Sequence, residues 1–286
     1  MISYIRDVPI HYERHGSGKP ILCIHGYAVD HQLMAGCLEP VFTLTNGYQR
    51  IYLDLPGMGK TPSASWIHNA DDMLTLIIDF IHSVIPDGNF LIVGESYGGY
   101  LTLGIIMGLH ERVDGVMLIC PGVFKNPGEK NPDKETLWRA VSFVSGTASN
   151  DDMCFADFFD LAVIANAEIY EKYVNYILSG KKTADRDFLS KYGDGGYWFS
   201  FDDDLLSIKF DKPTTILAGR QDHITGYSGA LDFLSCFPRA TFAVMDCSGH
   251  NLQFENEPLF DAHVRDWIWR IGLESDPRYT AGRNSV

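Results

Sequence analysis

Six short runs of apolar and β-branched residues recur along this chain, at 21–24, 50–53, 90–93, 116–120, 214–218 and 241–245. They lack the apolar–polar alternation of a strand with one wet face, and suit strands buried on both faces of a parallel sheet. Parallel neighbours need long crossovers, and helical stretches fill several of the gaps. Residues 71–85 place apolar side chains at 73, 74, 77, 78, 81 and 84, a helical stripe. Asn69 stands ahead of that stripe as an N-cap. Residues 258–271 form a second helix candidate, with Pro258 suited to a first turn. Strand–helix alternation predicts an α/β fold with a mostly parallel, doubly wound sheet. Residues 4–14 predict antiparallel edge strands turning at 7–9.

The alternation breaks between 124 and 210. Stretches 134–144, 152–165 and 167–178 read as helical there, and no strong strand run occurs. Because strands resume at 214, the break predicts a helical cap inserted into one core, and a separate C-terminal domain is the alternative. The expected organisation is a core of 1–123 and 211–274, a cap or lid of 124–210, and a loose polar tail of 275–286. The 286 residues suffice for one large domain carrying such an insertion.

The densest chemical signal is Gly94-Glu95-Ser96-Tyr97-Gly98-Gly99, which fits G-x-S-x-G. It follows the run at 90–93 and precedes an apolar helical stretch from Tyr100 to Leu109. A serine at so tight a strand-to-helix turn needs small neighbours two residues away on either side. A hydroxyl is a weak nucleophile until a base takes its proton. His250, in Asp246-Cys247-Ser248-Gly249-His250, follows the last strand run, at the carboxyl end where sites in open α/β sheets form. Its orienting carboxylate should lie at another strand end. Asp222, in Gly219-Arg220-Gln221-Asp222, meets that condition. Asp246 is a rival, but it ends the histidine's own strand. Cys120-Pro121-Gly122, after the strand at 116–120, offers no acid.

Acyl transfer also needs donors for an oxyanion. The backbone N–H of Tyr97, just after the serine, is one candidate. The N–H of Tyr27, in His25-Gly26-Tyr27 after the first parallel strand, is the other. His25 reads as a hydrogen-bonding support under that loop. His11, His15, His31, His68, His82, His110, His223 and His263 read as surface or edge residues.

The order Ser…Asp…His, the HG turn, GxSxGG, GRQD and SGH together resemble the α/β-hydrolase fold superfamily over about residues 10–272. The resemblance implies a serine hydrolase with a helical cap, in which Ser96 is the nucleophile, Asp222 the acid and His250 the base. It implies Tyr27 and Tyr97 as oxyanion donors. Serine at the nucleophile position separates the chain from the superfamily's haloalkane dehalogenases and epoxide hydrolases, which use aspartate.

Other chemistries fit poorly. Gly57-Met58-Gly59-Lys60-Thr61 looks like the tail of a phosphate-binding loop, but Asp54 occupies the place of its first glycine and Pro56 removes a donor. The resemblance implies that Asp54-Leu55-Pro56-Gly57 is a structural turn after a strand. His11 and His15 lie on a strand-like segment and no HExxH occurs, so neither a metal nor another cofactor is expected. A net charge of −14 without basic blocks argues against nucleic acid. No apolar run is long enough for a bilayer and no secretory signal is visible, which points to the cytoplasm. Six cysteines without a CxxC pair, with Cys23 and Cys120 in apolar runs, read as reduced packing residues.

The expected reaction is hydrolysis of a small or medium carboxylic ester through an acyl-enzyme, and the partner is a small-molecule substrate. Cleavage of a carbon–carbon bond in a meta-cleavage dienoate, and a proline iminopeptidase-like release of an N-terminal residue, use the same triad. Acidic side chains of the insertion (Asp151, Asp152, Asp157, Asp160 and Asp202 to Asp204) would serve the last reading by attracting an amine, but they read first as a solvated surface. A catalytically silent ligand-binding protein is the non-enzyme alternative.

Overall fold

In the computed structural model, residues 1–123, 138–142, 153–276 and 278 are described. β1 (Ile2–Ile5) and β2 (Val8–Gly16) form an antiparallel hairpin. Its two turn residues, Arg6 and Asp7, have φ of 47° and 67°, the pattern of a type I′ turn. The turn therefore falls one residue earlier than expected. The remaining strands of the main sheet match the six apolar runs. They are β3 (Lys19–Ile24), β4 (Tyr48–Leu53), β5 (Phe90–Glu95) and β6 (Val113–Ile119), then β9 (Thr214–Gly219) and β10 (Ala240–Met245). Between them, in the insertion, lie β7 (Ala140–Ser142) and β8 (Ile164–Asn166). The eight strands of the main sheet line up β1-β2-β4-β3-β5-β6-β9-β10. β1, β2 and β4 pair antiparallel, and every pairing from β4 to β10 is parallel.

Helices cover both faces. α1 (His31–Phe42) and the long C-terminal α10 (Glu257–Ser275) pack on one, and α2 (Ala70–Val84) and α3 (Tyr97–Leu109) on the other. Alternate residues of each strand serve opposite cores. Leu22 and Ile92 belong to the same core as Ile77, Phe80 and Leu103, whereas Cys23, Leu91 and Val93 belong to the one that holds Leu38, Val41 and Trp267. Each such side chain contributes about 1.5–3 kcal/mol by leaving water. Two-sided burial is why these strands lack alternation in sequence. Asn69 caps α2, accepting from the Asp72 N–H at 2.9 Å, and Pro258 occupies the first turn of α10. Cys23, Cys37, Cys120 and Cys236 are free and buried. Among the described residues no helix is long and apolar enough to cross a membrane.

The insertion between β6 and β9 carries α4 (Met153–Leu161), α5 (Ala167–Tyr173), α6 (Ser179–Thr183) and α7 (Arg186–Gly193). A π-turn at Val174–Leu178 joins α5 to α6, so the helix expected at 167–178 continues onward. Two other expectations need correction. Residues 140–142 are strand rather than helix, pairing in parallel with 164–166, and the helix expected at 152–165 stops at Leu161. The reason is tertiary: the buried Glu255 carboxylate takes the N–H groups of Val163 and Ile164, at 2.6 and 3.2 Å, and withdraws them from the helix. The rest of 134–144, Asp151, Asp152 and most of the 275–286 tail lie outside the described residues.

Asp54, at the end of β4, organises the neighbouring loops. Its carboxylate accepts from His11 Nδ1 and His31 Nδ1 (both 2.8 Å), from the His31 N–H (2.9 Å) and from the Lys60 N–H (3.0 Å). His31 is thus buried, 3% exposed, where the sequence suggested a surface or edge position. Burial pushes the Asp54 carboxyl up, but these partners hold it well below the usual range. Asp54→Ala should cost about 3–5 kcal/mol, because it strands four donors in a buried site. The loss would be read as a lower urea midpoint at unchanged slope.

Candidate active site

At the end of β5 the chain reverses into α3 within one residue. Ser96 makes that turn with φ 50° and ψ −114°, a conformation that costs a non-glycine residue about 1–3 kcal/mol. The surroundings hold it there. The Ser96 N–H donates to Ile119 O (2.9 Å), and Ser96 O accepts from the N–H groups of Tyr100 (3.1 Å) and Gly122 (2.8 Å). The flanking glycines are required by space. A Cβ on Gly98 would lie 2.2 Å from Ile24 O, and one on Gly94 would lie 2.4 Å from Gly98 O. Tyr97 is the first residue of α3, a position whose N–H has no partner within a helix.

Asp222 follows β9 and is completely buried. One oxygen accepts from the N–H groups of Ile224 (2.8 Å) and Thr225 (3.1 Å). The other accepts from the Thr225 hydroxyl (2.7 Å) and from His250 Nδ1 (2.9 Å). His250 follows β10, after a turn in which Cys247 has φ 56° and the Gly249 N–H donates to Glu255 Oε2 at 2.6 Å. Its Nε2 lies 3.0 Å from Ser96 Oγ. Ser96, His250 and Asp222 therefore form one continuous hydrogen-bonded relay, 154 and 28 residues apart in sequence. Asp246, the rival acid, is exposed and accepts from Gln221 Nε2 instead.

The electrostatics match the geometry. Burial raises the Asp222 carboxyl, but the charge and hydrogen bond of His250, with the bonds from Thr225, bring it down to about 2. Burial lowers the His250 imidazole, and the charge and hydrogen bond of Asp222, with the charge of Glu95, outweigh it and raise it to about 9. His25 is a different kind of histidine. Its Nδ1 donates to Gly26 O (2.7 Å) and its Nε2 accepts the Leu55 N–H (3.0 Å). Both ring nitrogens are committed in the neutral tautomer, so His25 supports the loop and is not available as a base.

Among the described residues, two groups bring metal-ligand atoms within 4.8 Å of one another, His11 with His31 and Asp54, and Cys120 with Asp222 and His250. In each, both carboxylate oxygens already accept two hydrogen bonds.

A cavity of about 460 Å³ opens over Ser96 and His250. Gly26, Tyr27, Val29 and Leu33 line it from the core, and Leu161, Ile177, Tyr197 and Trp198 from the insertion. Most aromatics of the insertion are packing residues, Phe158 and Tyr173 among them, but Tyr197 and Trp198 face the cavity. Three contributors escaped the sequence reading: Glu95, Thr225 and Glu255. Glu95 stood in the quoted motif at a position without a type constraint. Thr225 and Glu255 lie within five residues of Asp222 and His250, a spacing that carries no signal without the loop's shape.

The family model described as "Alpha/beta hydrolase family" matches residues 21–262. The chain is 22% identical over 281 residues to a "2-hydroxy-6-oxononadienedioate/2-hydroxy-6-oxononatrienedioate hydrolase" of Paraburkholderia phymatum, covering 92% of this chain and 91% of that protein. It is 34% identical over 91 residues to a "Pimeloyl-[acyl-carrier protein] methyl ester esterase" of Legionella pneumophila, but spans only 33% of that protein's length. A solved alpha/beta superfamily hydrolase from Oenococcus oeni superposes with a TM-score of 0.83 at 30% identity, over 92% of this chain and 96% of that one.

Proposed function

Because the chain belongs to the alpha/beta hydrolase family, we propose that it is a serine hydrolase cleaving a small or medium carboxylic ester through an acyl-enzyme. The observation that carries this reading is the Ser96–His250–Asp222 relay, with links of 3.0 and 2.9 Å, at the floor of a largely apolar cavity. Ser96 Oγ attacks the acyl carbon as its proton passes to His250 Nε2. The new charge on the carbonyl oxygen falls to the N–H groups of Tyr27 and Tyr97, worth about 3 kcal/mol each in the transition state. His250 then returns the proton to the leaving alcohol. Water repeats the cycle and frees the acid. Residues 124–210 act as the cap on a core of 1–123 and 211–274, and Leu161, Ile177, Tyr197 and Trp198 exclude water and select the acyl group.

Only neutral His250 accepts a proton. Activity should therefore rise as pH rises through its elevated value, giving an alkaline optimum in kcat/KM.

The similarity over most of the chain to a dienoate hydrolase favours a second reading, cleavage of a carbon–carbon bond by the same residues. The aminopeptidase reading has less support. Among the acidic side chains of the insertion that would serve it, Asp157 pairs with Lys181, and none of the described ones lines the cavity. The purified protein should release p-nitrophenol from short-chain esters and take up a fluorophosphonate probe. Turnover of a dienoate with inert esters would transfer the proposal to the second reading. Failure of both substrates and of the probe would end it.

A further inference from the structure

Glu95 closes β5 one residue before Ser96, and the steps above give it no task. It is 2% exposed, yet it lines the cavity with Ser96 and His250. Its Oε1 lies 3.5 Å from His250 Nε2, the nitrogen that also meets Ser96 Oγ. Its Oε2 is fully covered and, among the described residues, accepts no well-formed hydrogen bond, although the nearby Gly26 backbone weakly favours its charge. Burying a carboxyl so poorly paired is costly. The fold nonetheless makes room for it, since a Cβ on Gly26 would lie 2.3 Å from that oxygen. A side chain that packing alone required would be neutral.

We propose that Glu95 is a positioning residue acting through His250: a second carboxyl, on the Nε2 side, that stabilises the imidazolium formed when Ser96 gives up its proton. The inference rests on the relay described above. In it, the cationic ring is held between two acids, Asp222 at Nδ1 and Glu95 beside Nε2. A negative charge there favours the protonated ring in the transition state. The same charge makes the resting ring harder to deprotonate, so Glu95 also sets the pH at which the base becomes available.

The other groups around the pair leave that role to Glu95. Asp222, from the loop after β9, stays ionised. Glu255, from α9 (Leu252–Glu255), is tied to three backbone N–H groups. Burial pushes the thiols of Cys37 on α1 and Cys120 after β6 up, and likewise the phenol of Tyr197 from the insertion, so all three are neutral. Lys181 of α6 reaches the cavity but pairs with Asp157. Burial raises the Glu95 carboxyl to about 7 against the opposing charge of His250, so it is already ionised at the pH where the His250 ring, raised to about 9, gives up its proton.

Glu95→Gln is the test. The acid limb of kcat/KM should move to lower pH by about one unit, and kcat on the plateau should fall about tenfold. Glu95→Asp should restore part of both effects. An acid limb that stays in place, with activity lowered equally at all pH, would mean a merely structural residue and overturn the proposal. A second measurement does not need turnover. The His250 ring is titrated by NMR in Ser96→Ala with and without Glu95→Gln, and its midpoint should be lower in the double variant. Equal midpoints would overturn the coupling. Retention of esterase activity by Ser96→Ala would defeat the relay reading instead, and the titration would still report separately on Glu95.

Discussion

Ser96→Ala should lower kcat for ester hydrolysis by about 10⁴- to 10⁶-fold, the scale on which nucleophile removal acts in triad hydrolases. The effect should be on chemistry, with little on folding. Alanine keeps the Cβ and therefore the strained turn at φ 50°, and the backbone bonds to Ile119, Tyr100 and Gly122 do not involve the hydroxyl. The side-chain bond lost is the one to His250 Nε2 at 3.0 Å, in a cavity where water can take the vacated place. Thermal stability should change by no more than about 1 kcal/mol. Steady-state kinetics, fluorophosphonate labelling and a melting curve on one preparation would check all three points. A variant that keeps more than about one hundredth of wild-type activity, a loss far smaller than nucleophile removal causes, would place the nucleophile elsewhere.

Asp222→Asn should lower kcat by about 10⁴-fold while leaving the fold intact, and the hydrogen-bond pattern shows why. The amide oxygen can still accept from the Ile224 and Thr225 N–H groups, as one carboxylate oxygen does now at 2.8 and 3.1 Å. The amide nitrogen then replaces the oxygen that receives the Thr225 hydroxyl and His250 Nδ1. Nitrogen donates where oxygen accepted. The ring must present a bare Nδ1 to it, and its proton moves to Nε2, where it blocks acceptance from Ser96. The charge that held the imidazolium disappears as well. Labelling by the fluorophosphonate should slow in parallel with kcat, since both need the same proton transfer. A variant within tenfold of wild type would make Asp222 a loop-bracing residue, and Asp246, exposed and bonded to Gln221, offers no replacement.

Several features were legible before any coordinates because each depends on neighbours in the chain. Two-sided burial leaves apolar runs without alternation, so the positions of β3 to β6, β9 and β10 could be read directly. The crowding around Ser96 demands glycine at 94 and 98, a requirement local enough to be written as a motif. The N-cap at Asn69 and the first-turn Pro258 were visible for the same reason. His25 could be assigned to support because the turn containing it lies just after a strand.

Long-range placement was not legible in that way. Nothing near Glu255 in sequence reveals that its carboxylate would capture the N–H groups of Val163 and Ile164, end α4 and leave two short strands where helix was expected. Nothing near Asp54 reveals that it would draw His31 out of solvent. Local pattern, read from the sequence alone, determined which segments became strands and helices, where the chain had to turn sharply, and which strand ends carried a hydroxyl, an imidazole and a carboxylate. The tertiary structure decided which of those groups meet, which acids are buried beside them, and which side chains of the insertion face the cavity. Backbone sterics act over a few residues, whereas hydrogen bonds and desolvation act between any atoms that the strand order β5-β6-β9-β10 brings within about 3 Å.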